Sequence, residues 1–533
     1  MLAMVVLQRS MSRRNILKLL GRRECFNMPL LRSETDYPIL KIRTENNRSR
    51  DTDWKELLGA CNGFLLEDDL KNLKATLQRS CKTIIIELNY YCKDYRDTYT
   101  NFYAKKFAYY PSRAIRLFFF KDEIDSARWW DANSYKESFI GYSVIRPTRV
   151  TSIGRTVLKP EDCGGVYGSM CLTDFEAHLF GVRLTVRGFP YISQDTDVTI
   201  CAHAACWMCF RYLSERYTNR SEIYPFQITQ LTSDLSNGRL IPSGGLWMSQ
   251  VAEIFANYGL SPKVYLRDTV KENFMRLLCE YIDSGIPVVI GLEPGHAVVA
   301  IGHILDLVTD PMEPGYKWSS SYVSGLIVND DNYMPYQVLH RVAPTSEDLR
   351  KGYAFSQIDS FVVPLHDKVH LVAEDVEKLT YRILQDPEYG LDTLSPFLSE
   401  HQKNGTLLIR QYLTTSRAYR EERCSPESKP PHGLDRFYST HSMPRFIWVS
   451  ELSTQSLYTE HQHILGEILW DATACQGDWL AFLLVHYPEV FFVNDRDSFL
   501  EDKNRLVPIA LPSVHPYPAY RHNLKEVYVV PTD

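Results

Sequence analysis

The 533-residue chain is long enough for about two to four domains, and its 44% hydrophobic and 23% charged residues are typical of a globular protein. The formal net charge of −6 argues against a general nucleic-acid-binding surface. We find no run of about eighteen apolar residues, and residues 1–7 lack the preceding basic region of a signal peptide, so the sequence predicts no stable membrane insertion.

The twelve cysteines are too sparse for a disulfide scaffold, and most of them lie in apolar runs, as reduced core cysteines do. This usage favours a reducing compartment. The sequence therefore predicts a cytoplasmic protein.

The N-terminal third divides into a polar tail and a predicted α+β domain. Residues 1–50 contain a basic stretch at 13–23 followed by polar sequence, and we expect a disordered basic N-terminus, with a short amphipathic helix as the alternative. Residues 51–189 carry helical patterns and apolar strand patterns in turn. The helices are predicted at 53–58, 68–78 and 94–107, and the strands at 83–88, 114–120, 139–145 and 175–186.

Residues 190–365 begin with helical patterns and end with strand patterns. An apolar helix starts at Cys201, and further helices are predicted at 246–258 and 270–284, each stopped by a glycine. The period then changes from 3.6 to 2 over three apolar runs at 286–292, 296–303 and 325–330. This order predicts helices packed on an antiparallel sheet.

Residues 366–533 form a third region of mixed pattern, predicted to be α+β. Strands mixed with helices are expected over the apolar segments 407–412, 446–450, 463–470 and 481–486, and a polar, proline-containing loop at 420–433 interrupts them. We find no catalytic signature in this region.

The start of the helix at Cys201 is the strongest chemical signal in the chain. The first turn of a helix has unsatisfied N–H groups and the positive end of the macrodipole, which both favour a thiolate over a thiol. A cysteine nucleophile also needs a base and a group that orients the base. His296 opens an apolar strand after a Pro-Gly turn, and Asp330 ends the next strand, so antiparallel pairing would bring them together. Gln194 is a neutral donor that could stabilise an oxyanion with the Cys201 N–H.

These residues resemble the papain-like cysteine peptidases, and most closely the double-glycine leader peptidases that process bacteriocin precursors. In that family a glutamine precedes a cysteine that opens the central helix, the histidine lies in a Gly-His-apolar strand, and the aspartate follows an apolar strand. The match is Gln194, Cys201, Gly295-His296 and Asp330, over about residues 190–365. Ala202-His203 departs from the family's Gly-Pro, and the interval from Gln194 to Cys201 is longer than usual.

The resemblance implies a cysteine peptidase that cleaves a peptide or isopeptide bond, with Cys201 as nucleophile, His296 as base, Asp330 as orienting residue and Gln194 at the oxyanion. It also implies a narrow cleft that prefers small residues before the scissile bond, with Trp207 or Trp247 as its wall. The substrate would be a protein or peptide, and the flanking regions would select it or bind a regulatory partner. No cofactor is implied.

Several alternatives remain open at this point. Asn329 and Asp331 compete with Asp330 for the third position. The same chemistry supports acyl or amide transfer to an amine, and an inactive papain-fold scaffold that binds peptides is a further reading.

Two alternative interpretations, a redox pair and a zinc site, concern the other cysteines of the helix that starts at Cys201. Cys206 and Cys209 form a Cys-x-x-Cys pair, for which we expect core packing. Together with Cys201 and His203 they have the chemistry of zinc ligands, but four ligands on one continuous helix cannot surround a tetrahedral ion, so no metal site is predicted.

Overall fold

The computed structural model describes residues 37–45, 48–125, 130–217, 220–231, 245–308, 316–342, 353–475, 478, 481–494 and 508–528. These residues form a mixed α+β protein in which most of the strands belong to three predominantly antiparallel sheets. The predicted α+β class is therefore confirmed.

The described residues before 190 form one five-stranded sheet, two hairpins and three α-helices, together with a strand that joins a later sheet. The helices are α1 (Asp51–Ala60), α2 (Glu67–Leu77) and α3 (Lys93–Asn101). The strands are β1 (Ile39–Lys41), β2 (Thr44–Glu45), β3 (Arg48–Ser49), β4 (Thr83–Tyr90), β5 (Ala114–Phe120), β6 (Phe139–Ile145), β7 (Ile153–Leu158), β8 (Gly168–Met170), β9 (Thr173–Leu179) and β10 (Val182–Gly188). The sheet has the order β1-β4-β5-β6-β7.

Two expectations for this part need correction. The segment 37–45 belongs to the expected disordered tail, yet β1 pairs with β4 and Leu40 is buried there, so the folded part starts before residue 51. Residues 1–36, 46 and 47 lie outside the described residues. The single strand predicted over 175–186 is a hairpin, because Phe180 and Gly181 both take positive φ (51° and 82°), as a two-residue hairpin turn requires.

The described residues from 190 to 366 contain the predicted helices and sheet. The helices are α4 (Cys201–Arg216), α5 (Pro225–Gln230), α6 (Met248–Asn257), α7 (Arg267–Val270) and α8 (Phe274–Asp283). The strands are β11 (Leu260–Leu266), β12 (Val288–Leu292), β13 (His296–Leu305), β14 (Lys317–Trp318), β15 (Val323–Asn329), β16 (Gln337–His340) and β17 (Ile358–His366). The helix predicted from residue 270 begins four residues later, because Lys271 has a φ of 57° that ends α7.

The described residues after 366 form a second large sheet and its helices. The helices are α9 (Ala373–Leu384), α10 (Leu391–Leu394), α11 (Pro396–Lys403), α12 (Ser416–Arg423), α13 (Leu434–Thr440) and α14 (Gln455–His461). The strands are β18 (Leu407–Thr415), β19 (Phe446–Thr454), β20 (His463–Ile464), β21 (Gly466–Asp471), β22 (Phe482–Tyr487), β23 (Val490–Val493), β24 (Ile509–Ala510), β25 (Tyr517–Pro518) and β26 (Lys525–Val527). The sheet runs β14-β18-β19-β21-β22-β23-β24.

The boundaries predicted at 189/190 and 365/366 do not coincide with the boundaries of the sheets. The eight-stranded sheet runs β11-β17-β12-β13-β15-β16 and also takes β8 from the preceding region and β26 from the end of the described chain. Conversely, β14 of the middle region pairs with β18 and so belongs to the seven-stranded sheet of the third region. One hydrophobic core extends across all three regions, so they pack as a continuous body.

Helix α4 lies at the centre of this packing. It contacts β12 and β13 of the eight-stranded sheet and also β9 of the hairpin. Eleven of its sixteen residues are buried, which is why it carries alanines and cysteines where larger side chains would not fit. Among the described residues, no helix is both long and apolar enough to cross a bilayer.

Candidate active site

Cys201 is the first residue of α4, as the sequence predicts. Ile200 before it is extended (φ −103°, ψ 175°), and no side chain caps the helix. The N–H groups of the first turn are therefore not taken by a capping side chain. Cys201 itself is partly exposed, whereas Ala202 and the residues after it in the first two turns are buried.

A compact loop connects Gln194 to Cys201. The side chain of Asp195 is buried, and its Oδ1 accepts hydrogen bonds from three backbone N–H groups, those of Asp197 (3.2 Å), Val198 (2.8 Å) and Thr199 (2.7 Å). The Asp195 N–H in turn donates to the Thr199 carbonyl at 2.9 Å. The loop folds back on itself, so the extra residues between Gln194 and Cys201 form a turn rather than a long separation.

His296 and Asp330 meet at the edge of the antiparallel pair β13 and β15. The register places Val299 opposite Asn329, so the first residue of β13 lies near the residue that follows β15. The Nε2 atom of His296 is 2.9 Å from Oδ1 of Asp330. The exposed fraction is 13% for the His296 side chain and 4% for the Asp330 side chain, so this pair is shielded from water.

Cys201 lies close enough to His296 to affect its pKa. Burial by itself lowers the pKa of His296, but hydrogen bonds to Asp330 and to Cys201, together with the charges of Asp330 and Asp331, raise it to about 10. The imidazole is therefore close to both a thiol and a carboxylate, and its raised pKa favours the imidazolium at neutral pH.

The two competitors of Asp330 occupy different positions. Asn329 is fully buried, its amide donates to the Pro190 carbonyl at 3.3 Å, and its Oδ1 accepts from the Tyr336 N–H at 3.0 Å. Asp331 is also buried, and its Oδ1 is 3.8 Å from Nε2 of His296, which is too long for a hydrogen bond. Burial raises the pKa of Asp331 to about 7, although His296 opposes the shift. Of the three candidates for the third position, Asp330 is the one that bonds directly to the imidazole.

Gln194 reaches the site through a residue that the sequence analysis did not single out. Its Nε2 donates to Oδ1 of Asn332 at 2.9 Å, and Nδ2 of Asn332 lies 3.3 Å from Nε2 of His296. The carbonyl of Gln194 accepts a hydrogen bond from the Thr151 hydroxyl. Gln194 is thus held beside the histidine. The sequence feature that could have identified Asn332 as a site residue is its position in the polar run that follows β15.

Trp207 and Trp247 are the two candidates for the wall of the substrate cleft, and the structure rules out Trp207. Its side chain is fully buried, and its Nε1 donates to Oδ1 of Asp94 at 3.1 Å. Trp207 therefore joins α4 to the N-terminal region, and its role as a cleft wall is wrong because no part of it is accessible. Trp247 is 80% exposed directly before α6, and the next side chain, Met248, packs against Gly291 of β12.

Two tyrosines near the His296–Asp330 pair are further residues that the sequence analysis missed: Tyr353, and Tyr333, whose N–H donates to the Asp330 carbonyl at 3.1 Å. The ring of Tyr353 is partly exposed, and its centroid lies 5.9 Å from that of His296. Burial and then the nearby charges of Asp330, Tyr333, Asp331 and Cys201 raise the pKa of Tyr353. Tyr333 is 41% exposed. Tyr353 lies far along the chain from Cys201, so no local pattern could identify it.

The other candidate ligands and thiols of α4 lie in the core. Cys206 and Cys209 are free and fully buried, and burial raises the pKa of each thiol. Burial also lowers the pKa of His203 to about 4. None of these three side chains shares the exposure of Cys201, so core packing explains them.

Comparisons with protein-family models, with curated proteins and with solved structures find no match for this chain. The proposals below therefore depend on the geometry of the site and on the sequence resemblance described above.

Alanine substitution of the two neighbouring aspartates should separate their roles. Asp330→Ala removes the acceptor of the His296 hydrogen bond, so we expect kcat/KM of the hydrolysis proposed below to fall by roughly a hundredfold. Asp331→Ala, the matched control, removes only a more distant charge, and we expect a loss of roughly threefold or less. Steady-state kinetics on both folded variants would measure this. If Asp331→Ala caused the larger loss, Asp331 would be the orienting residue.

Proposed function

We propose that this chain is a papain-like thiol hydrolase that cleaves a peptide or isopeptide bond. One observation carries the proposal: the imidazole of His296 bonds to the Asp330 carboxylate at 2.9 Å and also lies close enough to the Cys201 thiol for that thiol to raise its pKa. A helix start, a strand start and a strand end supply these groups, in the order that the resemblance to the leader peptidases requires.

The proposed chemistry follows from the positive charge of the His296 imidazolium beside the Cys201 thiol. The His296 imidazolium favours the thiolate of Cys201, which attacks the carbonyl carbon and forms a tetrahedral oxyanion. His296 then donates its proton to the leaving amine as the C–N bond breaks, which leaves a thioester on Cys201. His296 next removes a proton from water, which attacks the thioester and releases the acid. Asp330 holds the imidazole in the orientation needed for both proton transfers.

The tetrahedral oxyanion needs hydrogen-bond donors at a position shielded from solvent. The N–H of Cys201 belongs to the uncapped first turn of α4, and the amide of Gln194 is held nearby by Asn332. In the present arrangement the Gln194 amide donates to Asn332, so it would have to turn from Asn332 to the oxyanion when substrate binds. The papain-like role of Gln194 requires this change of partner.

The same thioester supports transfer to an amine in place of water, and the two reactions differ only in the second step. Hydrolysis in the presence of a primary amine such as hydroxylamine would distinguish them, because a transferase forms the amide or hydroxamate in preference to the acid. A catalytically inactive scaffold would form no thioester at all.

We expect the cleft to prefer small residues, glycine above all, immediately before the scissile bond, as the resemblance implies. Tyr353 beside His296 takes the place of Trp207 as a candidate wall. Cleavage of a proteome-derived peptide library should show this preference, and Tyr353→Ala should broaden it to larger residues. A preference of the wild type for bulky or charged residues would contradict the comparison with leader peptidases.

A second candidate is metal-dependent hydrolysis. His296, Asp330 and Asp331 each offer a ligand atom, and these atoms lie within 4.8 Å of one another. An imidazole and two carboxylates suit a divalent first-row metal. A metal there would compete with the hydrogen bond between His296 and Asp330.

Metal removal distinguishes the two mechanisms. We expect the thiol hydrolase to keep its full activity after dialysis against EDTA, and added Zn²⁺ to inhibit it by binding His296 and Asp330. Activity before and after dialysis and the zinc content of the protein are the measurements. Activity that is lost with EDTA and restored by Zn²⁺ or Mn²⁺ would favour the metal-dependent reaction.

A further inference from the structure

A cavity of about 340 Å³ lies at the end of α4 that is farthest from Cys201. Its walls come from the ends of α4 and β17, from the junction of β18 with α12, and from the segment that enters β26. We call it the basic pocket and define it by six of its residues: Arg216, His366, Arg417, Phe446, His522 and Lys525. A volume of this size fits a small organic molecule rather than a single water or ion.

The basic pocket contains more positive than negative charge. The acidic residue in its lining is Glu421, and this carboxylate forms an ion pair with Arg417 at 2.8 Å on the exposed face of α12. Within the described residues, neither Arg216 nor Lys525 has a carboxylate within ion-pair distance. Two cations therefore line the cavity without an ion-pair partner among the described residues, and Arg216 donates a hydrogen bond to the Tyr212 hydroxyl at 2.9 Å.

Burial is the main cause of the lowered pKa values of the lining groups Lys525 and His366, and nearby cations add to it. Burial lowers the pKa of Lys525, the neighbouring Arg216 and Arg187 lower it further, and the carboxylates of Glu422 and Asp174 oppose the shift. Burial also lowers the pKa of His366 to about 4, with added contributions from Arg220 and Arg445. A bound anion would relieve this repulsion.

The other walls of the basic pocket are an aromatic surface and the N-terminus of α12, which adds electrostatic attraction for an anion. The rings of His366 and Phe446 stack at 4.5 Å between centroids with an angle of 21°, and Tyr217 meets His366 edge-on at 4.8 Å. Helix α12 begins at Ser416 beside the cavity, so the positive end of its dipole adds to the field of the cations. The pocket thus combines cations with an aromatic wall.

We propose that the basic pocket binds a small phosphorylated molecule, with the phosphate between Arg216 and Lys525 and the organic part toward the aromatic wall. A phosphate carries up to two negative charges and matches two unpaired cations better than a single carboxylate does. The site is separate from Cys201, because α4 is sixteen residues long and spans about 22 Å between them. The proposal does not depend on the proposed hydrolase activity.

Isothermal titration with pyrophosphate at constant ionic strength tests the proposal. We expect saturable one-to-one binding to the full chain, weakened at least tenfold in Arg216→Gln and in Lys525→Gln. Arg417→Gln changes an exposed residue and should weaken binding about threefold without affecting the fold, since its charge is already paired with Glu421. Arg183→Gln is the matched control, because Arg183 is an exposed, ion-paired cation of β10, and this variant should bind as the wild type does.

Citrate serves as a carboxylate probe of similar charge, and we expect it to bind at least tenfold more weakly than pyrophosphate. Thermal unfolding of each variant would show whether it is folded. If Arg216→Gln were unfolded, the Lys525→Gln and Arg417→Gln variants would decide the result. The proposal fails if pyrophosphate does not saturate, if the pocket variants bind like Arg183→Gln, or if citrate binds as tightly as pyrophosphate.

Discussion

Replacement of Cys201 by alanine is expected to abolish hydrolysis, with a loss of at least about 10⁴-fold in kcat, because no other described thiol combines exposure with contact to His296. The variant should stay folded, since the side chain loses only a sulfur that is partly exposed. Its measurement needs a cleavable peptide and a quantitative assay of the new amine.

Cys206→Ala is the matched control. Cys206 lies five residues further along α4, is fully buried and has a pKa raised by burial, so it contributes packing rather than a thiolate. We expect this variant to keep most of its kcat and to lose stability, by about 1 kcal/mol for a small buried side chain. An inactive but folded Cys206→Ala, together with an active Cys201→Ala, would reverse the assignment.

The sequence could predict the catalytic candidates because each of them stands where a repeating pattern starts or stops. Cys201 opens the helical period, His296 opens an alternating strand, and Asp330 follows the next strand. An antiparallel connection between neighbouring strands is the simplest one, so the meeting of His296 with Asp330 followed from local pattern alone.

The neighbours of the site could not be predicted in the same way. Trp207 bonds to Asp94, 113 residues away in the chain, and Tyr353 approaches His296 from a segment after the strand predicted at 325–330. Such contacts depend on how separate regions pack. The burial of α4 on several faces also removes the one-sided stripe that would show in an amphipathic helix, so the sequence does not show which face carries Trp207.

The exchange of strands between the three regions further limits how well domain boundaries can be predicted from the sequence. β8 and β26 are three residues each, too short for a strand pattern to be recognised, yet both belong to the sheet that contains β13. Domain boundaries drawn from changes in pattern therefore miss them. The same feature explains how Lys525, near the end of the described chain, comes to line a pocket with Arg216 at the end of α4.

Cys201 is expected to react with iodoacetamide at pH 6 at least about tenfold faster than any other cysteine of the chain, and this advantage should depend on His296. An ordinary thiol with a pKa near 8.5 is only about 0.3% thiolate at that pH and reacts slowly. The pKa of His296 is raised from 6.5 to about 10, so its imidazolium is fully present below pH 6.5 and is lost only as the pH rises through about 10. The charge that favours the Cys201 thiolate is therefore present at pH 6.

Two exposed cysteines, Cys424 and Cys475, provide an internal reference for accessibility, since most of the other described cysteines are buried. Peptide mapping after limited labelling should find Cys201 modified ahead of both. His296→Ala removes the imidazolium and should reduce the rate at Cys201 to that of the reference cysteines. His178→Ala, which changes an exposed histidine of β9, should leave the rate unchanged. Equal slow labelling of Cys201, Cys424 and Cys475 in the wild type would mean that the thiol is not activated, and a peptide-binding scaffold would then explain the site better than a hydrolase.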